Sequence, residues 1–369
     1  MRTSYFLGKL FLILYFTLNL ISEAEAQTPR KTPKWRAPID TTIRNQYIAR
    51  DRRSFTLFIF LSKYNNGIMY RSKDAKELLY QPITPLNIGL GFTHKLITIG
   101  VSVVSPYLSP SLYGEVKSTT FQITAYGKRF GAEIFYYGNT GYRLTNNSEF
   151  LQSFNNYTAA DIEYPNLGMI KTGANILWVA HPEKYSLKAS TNLMERQKRN
   201  AQSFLVNMTF TYMSTQNGDS SFVSAPFMPD YAGNTILTKG YFFTFAPTPG
   251  YGMNWRIRKN FFYDLSLSFG PAIQYQNYFD EDVYHSRIAL SYMGIIRTSL
   301  GYHGKKWVTS ISWLGEVENY PLNKNTSLLN HVGKFQFRIG YKFGVPKWAR
   351  SYSDKLDDIE DELERHMPH

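Results

Sequence analysis

Basic side chains recur at alternate positions of the segments that have β-strand composition. Successive side chains of a strand point to opposite faces, so each segment has an apolar face and a polar face. A charge facing lipid near the middle of a bilayer costs about 2–4 kcal/mol, so we expect the basic residues of the polar face to line an interior. The expected lumen-lining basic residues are Lys171, Lys188, Arg256, Arg297, Lys334, Arg338 and Lys342.

Few acids accompany these basic residues on the polar face. Glu133 and Asp264 are the ones that share its parity. An interior with more basic than acidic side chains favours anions electrostatically. Alternatively, the basic residues pair with inward acids and water and fill a narrow interior without an open pore. Both interpretations stay open at this point.

The sequence lacks the familiar catalytic motifs. It has no His-Glu-x-x-His, no Gly-x-Ser-x-Gly and no phosphate-binding loop, and its seven histidines are scattered. His285 and Ser286 follow an acidic run at residues 280–282, but adjacent strand residues point oppositely and do not form a nucleophile–base pair. The acidic run is a weak calcium candidate. We therefore expect no catalytic site, no metal site and no cofactor.

The last strand, residues 334–343, shows the pattern that organises the chain. Its odd positions are apolar or aromatic and its even positions are polar, charged or glycine. The same alternation recurs at residues 203–212, 261–269 and 287–303. This repetition predicts an all-β fold, a transmembrane antiparallel up-and-down β-barrel. The barrel must close because backbone polar groups in hydrocarbon need partners.

The strand number depends on how residues 238–258 are divided. Two strands broken at residues 247–250 give about 14 strands in the barrel, and the alternative is 12, because single-chain bacterial barrels have even numbers. Residues 185–193 are counted as one of these strands. Short basic turns alternate with long polar loops at residues 138–165 and 216–234. We expect the short turns to face the periplasm and the long loops to face outside.

Both ends of the chain differ from the barrel segment. Arg2, the apolar run 6–21 and Ala24-Glu25-Ala26 predict a cleaved signal peptide at residues 1–26, with a retained anchor as the alternative. Residues 27–52 are expected to form a periplasmic extension, and residues 53–344 the barrel. Residues 345–369 form an acidic periplasmic tail, either a short helix or a disordered segment.

Composition limits the partners. The chain has 28 Tyr, 26 Phe, no Cys and a formal charge of +13, which excludes disulfides and a lipid on a terminal cysteine. The dispersed basic residues argue against nucleic acid. They suit contact with lipopolysaccharide. We expect outer-membrane lipid, lipopolysaccharide, the barrel-assembly machinery during biogenesis, and a small solute or glycan as partners.

Several short motifs resemble one family over residues 35–343. They are Trp35 with Asp40-Thr41, and residues 82–91, 127–128, 197–199 with 203–204, 218–221, 250–251 and 340–343. They resemble an uncharacterised family of Bacteroidota outer-membrane β-barrels, a domain of unknown function. The chain departs from the family at Asn200 and Gln202, where small residues usually stand. The resemblance implies an outer-membrane location and no established activity.

These observations favour a non-enzymatic outer-membrane barrel. We expect either a small-solute or anion pore with a basic lumen, or a surface-binding or structural barrel that uses its long outer loops. A membrane enzyme that modifies lipid or lipopolysaccharide is a third, weaker alternative.

Overall fold

The computed structural model describes residues 39–50, 54–73, 75–83, 86–104, 117–146, 162–231, 233–346 and 355. The predicted signal peptide and most of the predicted acidic tail lie outside these residues. The described elements, in chain order, are α1 (Thr41–Tyr47), β1 (Ile48–Arg50), β2 (Ser54–Ser72), β3 (Leu78–Pro82), β4 (Leu86–His94), β5 (Ile97–Val104), β6 (Lys117–Tyr126), β7 (Phe130–Leu144), β8 (Glu163–Val179), α2 (Leu187–Ser190), β9 (Glu195–Gln197), β10 (Ala201–Asn217), a 3-10 helix (Ala225–Tyr231), β11 (Leu237–Arg256), β12 (Phe261–Asp280), β13 (Val283–His303), β14 (Trp307–Pro321) and β15 (Thr326–Gly344).

One antiparallel sheet of 13 strands closes on itself among the described residues. Hydrogen-bonded neighbours run from β2 through β4, β5, β6, β7, β8 and β10 to β15, and β15 pairs again with β2. The thirteenth strand, β3, bridges the upper parts of β2 and β7. Twelve strands therefore complete the ring, and β1 and β9 form a separate two-stranded sheet. The predicted closed antiparallel barrel is confirmed.

The ring has 12 strands, which was the alternative count, rather than 14, for two physical reasons. Residues 237–256 form the single strand β11, which runs straight through Pro247 and Pro249. The strand predicted at residues 185–193 is wrong, because this segment contains the short helix α2 and lies inside the ring. Its side chains, including Tyr185 and Leu187, are buried on every side.

The strands expose apolar side chains and bury polar ones. Leu290 is 77% exposed and Phe269 63% exposed on the outward parity, while Asn207 and Thr209 are buried on the inward parity. A water-soluble sheet would place these residues the other way round. No helix within the described part of the chain has both the length and the apolar character needed to cross a membrane.

A break in the ladder separates β11 from β12 at mid-height. The two strands pair at Phe245 with Ile273 and again at Gly250 with Ser268, with no pairs between. The continued register places Pro247 opposite Pro271, and neither residue has an N–H to donate. The two backbones approach closely here, because a Cβ added to Gly270 would lie 2.1 Å from the Pro247 carbonyl oxygen.

Two connections fold into the ring rather than away from it. We call residues 218–236, between β10 and β11, the upper insert, and residues 180–200, between β8 and β10, the lower insert. The upper insert places Phe222, Phe227 and Tyr231 in a large aromatic cluster, each with 0% exposure. The polar outer loop predicted at residues 216–234 is therefore folded inward, because these apolar side chains need cover.

Candidate functional site

A polar cavity of about 150 Å³ lies inside the ring, directly above the lower insert. We call it the central chamber. Its floor is formed by residues of the lower insert, including Tyr185, Leu187 and Thr191. The wall carries charged side chains from four strands, because their inward positions share this height. These are Glu133 of β7, Asp264 of β12, Arg297 of β13, and Lys334 and Arg338 of β15.

An ion pair crosses the chamber between β13 and β7. Arg297 Nη2 donates to Glu133 Oε2 across 2.9 Å, and Arg297 Nη1 donates to Asn207 Oδ1 across 3.2 Å. Glu133 also accepts hydrogen bonds from the Tyr126 hydroxyl and from Asn175 Nδ2, the latter at 3.0 Å. The carboxylate of Glu133 is thus fully engaged within the protein.

Asp264 is engaged mainly by neutral donors. Its Oδ2 accepts hydrogen bonds from the Tyr185 hydroxyl at 3.0 Å and from Asn254 Nδ2 at 3.1 Å. Tyr185 belongs to the lower insert, so this contact also fixes the floor of the chamber to the barrel wall. Asp264 is 4% exposed.

Lys334 and Arg338 contact neutral groups rather than acids. Lys334 Nζ donates to Gln122 Oε1 across 2.6 Å. Arg338 donates to the Thr191 carbonyl at 3.0 Å and to Gln336 Oε1 at 3.1 Å, with its guanidinium 4.5 Å from the centre of the Phe58 ring. Within the described residues, neither cation forms a salt bridge with a carboxylate.

A second ionic network lies above the chamber. Lys171 Nζ is 3.0 Å from Glu318 and 3.5 Å from Glu316, and it donates to Asn330 at 3.1 Å. Lys171 is on β8 and both acids are on β14, so this network also crosses the interior. The rings of Tyr64 and Tyr137, with centroids 4.3 Å apart and planes tilted by 33°, belong to the same layer.

The other predicted lumen residues lie lower in the molecule. Lys188 is buried in α2 of the lower insert. Arg256 is exposed at the lower end of β11 and donates to the Lys198 carbonyl at 2.6 Å. Lys342 lies near the lower end of β15 and is partly exposed. The structure thus brings Arg297, Lys334 and Arg338 together in the chamber and places the remaining four residues elsewhere.

Glu195 is the functional candidate that sequence reasoning missed. It lies in the lower insert, and its carboxylate accepts from Arg44 Nη2 at 2.7 Å, from Arg50 Nε at 3.1 Å and from the Ser186 hydroxyl. Burial alone would raise the pKa of Glu195, but Arg44, Lys188 and Arg50 lower this pKa to about 2. In the sequence, Glu195 stands directly before the basic residues Arg196, Lys198 and Arg199, and this isolated acid could have indicated an ion-pair site.

The Glu195 cluster attaches the N-terminal segment to the lower insert. Arg44 belongs to α1, whose N-cap Asp40 accepts from two backbone N–H groups. The strands β1 and β9 then pair from Ile48 opposite Gln197 to Arg50 opposite Glu195. Residues 39–50 therefore hold the lower insert from the side away from the chamber.

The weaker chemical candidates remain separate. The His285 ring stacks on Tyr278 with a centroid distance of 5.1 Å, whereas Ser286 donates to the Tyr275 hydroxyl at 3.2 Å. These contacts lie on opposite faces of the sheet, as the alternation requires. Among the described residues, no cluster of three or more His, Cys, Asp or Glu side chains could hold a metal ion.

A larger concavity of about 1160 Å³ lies on the outward face of the barrel. It passes over Gly315 and Gly333 between large apolar side chains such as Trp313 and Phe335. Polar residues such as Lys63, Asn65 and His331 are a minority of its lining, whereas the central chamber brings five charged side chains together, so we place the candidate site inside the ring.

Comparison with solved structures finds outer-membrane proteins at low identity. The toluene transporter TodX of P. putida is 8% identical with a TM-score of 0.26, covering 79% of this chain and 90% of its own. The translocator domain of the autotransporter NalP from Neisseria meningitidis is 9% identical with a TM-score of 0.34, covering 78% and 88%. OmpT of Vibrio cholerae is 6% identical with a TM-score of 0.30, covering 80% and 100%.

Sequence comparison adds the family. No curated protein matches the chain. One family model matches residues 38–343, which include every strand of the ring except the final Gly344 of β15. The chain belongs to the family described as a domain of unknown function, DUF4421.

Proposed function

We propose that the protein is an outer-membrane β-barrel that passes small solutes, with anions preferred, through an interior that is closed at rest. The observation that carries this proposal is the central chamber. It holds three basic and two acidic side chains, and both acids are already engaged by protein donors. A compartment of this charge attracts anions and disfavours cations.

The outward face supports the membrane location. Large apolar side chains such as Ile288 and Leu290 are about three-quarters exposed there, at 73% and 77%. Such a surface is stable against lipid and costly against water. The predicted signal peptide would deliver the chain across the inner membrane. By the rule that chain ends and short turns face the periplasm, the lower insert lies on the periplasmic side.

The two inserts account for the closed state. The upper insert packs an aromatic cluster into its end of the ring. The lower insert has a more polar attachment, through Tyr185 to Asp264 and through Glu195 to Arg44. We propose that the lower insert is the part that moves, because ionic and hydrogen-bonded contacts that respond to charge hold it, beside the apolar contacts of Tyr185, Leu187 and Leu193 with the wall.

Planar bilayers with the full-length protein test this proposal. Wild type should open rarely, and Glu195→Gln, which removes the charge that holds Arg44 and Arg50, should raise the open fraction several-fold. The reversal potential in a KCl gradient should show preference for chloride. Glu183→Gln is the matched control, since Glu183 is in the same insert but its described ion-pair partner is His181, whose side chain is 59% exposed.

Two results of the conductance experiment would contradict the proposal. Deletion of residues 182–194 should leave a persistently conducting barrel if the lower insert is the moving part. A silent deletion variant that is still folded by its gel mobility contradicts solute passage. Cation preference in the open state contradicts the proposed role of the basic chamber.

The second candidate is a structural or surface-binding barrel without passage. The buried upper insert favours this alternative, because Phe222, Phe227 and Tyr231 close the outer end with an apolar core. This candidate predicts that the deletion of residues 182–194 remains silent in bilayers. Cells that lack the protein should then show altered envelope integrity or ligand adhesion and unchanged uptake of small anions.

A further inference from the structure

We infer that the central chamber is a binding site for one small oxyanion, such as phosphate, sulfate or a short carboxylate, held between Lys334 and Arg338. The inference rests on the proposed function in treating the chamber as part of the solute path, and it names the solute class. It is carried by the partners, burial and surroundings of these two cations.

Both cations point into the chamber. On β15 their outward neighbours Phe335 and Ile339 are 48% and 44% exposed, so the alternating positions of Lys334 and Arg338 face inward. Both residues line the cavity. A cation enclosed in this way needs compensation, because an unpaired charge away from water costs several kcal/mol.

The protein itself does not supply that compensation. Lys334 contacts the amide oxygen of Gln122, and Arg338 contacts the amide oxygen of Gln336 and the carbonyl of Thr191. The Nε–H of Arg338 has no acceptor among the described residues. A guanidinium with free donors is suited to an oxyanion, since it presents N–H groups in a planar fork.

The acids of the chamber are not available to neutralise these cations. Glu133 accepts from Arg297, Tyr126 and Asn175. Asp264 accepts from Tyr185 and Asn254. Arg297 is paired to Glu133, and Asp264 forms no salt bridge with Lys334 or Arg338 within the described residues. The five charged side chains therefore leave a surplus of one positive charge, which an incoming anion would balance.

The rest of the wall suits an oxyanion in chemistry and size. Hydroxyl groups line the chamber near the two cations, and they can donate to the remaining oxygens of the anion. The volume of about 150 Å³ holds a tetrahedral oxyanion with little water. It is too small for a nucleotide or a sugar chain. The lining hydroxyl residues are Thr98, Thr120, Thr124, Ser310 and Ser312.

Thermal unfolding of the full-length protein in detergent tests the site. Increasing inorganic phosphate, at constant ionic strength set with chloride, should raise the unfolding midpoint through binding to the folded state. Lys334→Met and Arg338→Met should each weaken the apparent phosphate affinity by about tenfold or more, as expected for a lost charge-assisted hydrogen bond. Lys63→Met is the matched control, because Lys63 is exposed on the outward parity of β2.

The unfolding temperature in phosphate-free buffer distinguishes loss of binding from misfolding of the variant. Because Lys334→Met removes an uncompensated charge, this variant should unfold at the same temperature as wild type or above it. The inference is overturned if neither phosphate nor sulfate nor acetate shifts the midpoint beyond chloride, or if both chamber variants keep the phosphate shift of wild type.

The outcome separates the site from the proposed passage. A barrel that conducts chloride in bilayers without any oxyanion titration overturns the site and leaves the passage standing. A barrel that binds phosphate through Lys334 and Arg338 but stays silent in every bilayer experiment supports the site and overturns the passage.

Discussion

Arg297 and Glu133 meet across the interior of the barrel, with 2.9 Å between Nη2 and Oε2. Their strands, β13 and β7, lie five strands apart in one direction round the ring and seven in the other. Nearly opposite walls are therefore within the reach of two side chains. Lys171 and Glu318 make an equivalent connection between β8 and β14. These two ion pairs form a brace, which is a set of charged contacts that connect opposite walls through the interior. They occupy space that could otherwise form a channel in a ring of this many strands.

This brace predicts a strong and coupled effect on stability. Arg297→Met should lower the free energy of unfolding by about 3–5 kcal/mol, because it leaves Glu133 buried without its cation. The double variant with Glu133→Gln should lose less than the sum of the single losses. Urea unfolding in lipid vesicles measures both quantities.

An exposed ion pair provides the control for the brace. Arg71 and Glu77 are 2.9 Å apart with side chains 35% and 50% exposed. Arg71→Met should therefore change the free energy of unfolding by about 0–1 kcal/mol. Additive losses at Arg297 and Glu133 would show that the two side chains do not interact.

Acidification should detach the N-terminal segment through Glu195. Its pKa is about 2 in the folded protein and about 4.3 in an unfolded chain. A depressed pKa stabilises the fold above the unfolded value, and this stabilisation of about 3 kcal/mol is lost as pH falls from about 4.5 to about 2. Spin labels at Gln46→Cys and Lys305→Cys should give one distance at neutral pH and a broad distribution near pH 2.

The spin-label experiment has internal controls. The natural chain has no cysteine, so the two labels are unique. Glu195→Gln should broaden the distribution already at neutral pH, and Glu183→Gln should leave it narrow. A distance that stays narrow in Glu195→Gln would exclude Glu195 as the attachment point.

The outward face should respond to charge according to depth. Phe269 is 63% exposed near the middle of β12, and Phe269→Arg should cost about 2–4 kcal/mol in a bilayer. Tyr284 is 55% exposed near the upper end of β13, and Tyr284→Arg should cost about 0–1 kcal/mol. Unfolding in vesicles gives both values. Equal costs, or a folded protein soluble without detergent, would contradict the membrane location.

The break in the ladder between β11 and β12, where Pro247 lies opposite Pro271, predicts that one glycine will not tolerate a side chain. Gly270→Ala should destabilise the barrel by about 1–3 kcal/mol, because the new Cβ would lie 2.1 Å from the backbone oxygen of Pro247. Gly294→Ala on the next strand is the control, since its nearest atom would be 3.4 Å away. Heat-dependent gel mobility compares the two variants, and a fully stable Gly270→Ala would mean that the strands can separate there.

The barrel itself was predictable from the sequence, for a physical reason. Apolar and polar residues alternate in a strand whose two faces lie in different environments, and this pattern is present wherever one face meets the lumen. It was misleading at residues 185–193, which are enclosed on all sides and therefore carry no face information. Tyr185 and Leu187 looked like strand residues because they are large and apolar.

The candidate site was predictable only in part. Parity assigned Arg297, Lys334 and Arg338 to one face, and all three line the central chamber, but parity gave no height along the barrel. Lys171 faces a separate network because its partners on β14 depend on register across the ring. Glu195 escaped prediction because its importance comes from Arg44, 151 positions earlier in the chain.

The seam between the first and last strands of the ring has a consequence for folding order. β15 pairs with β2 along its full 19 residues, from Thr326 opposite Ser72 to Gly344 opposite Ser54. These contacts join the two strands of the ring that lie farthest apart in the sequence, so closure requires a long-range pairing and is expected to be slow. Each insert connects two strands that are neighbours in the ring and close in the sequence, so both inserts can enter the interior before the wall closes around them.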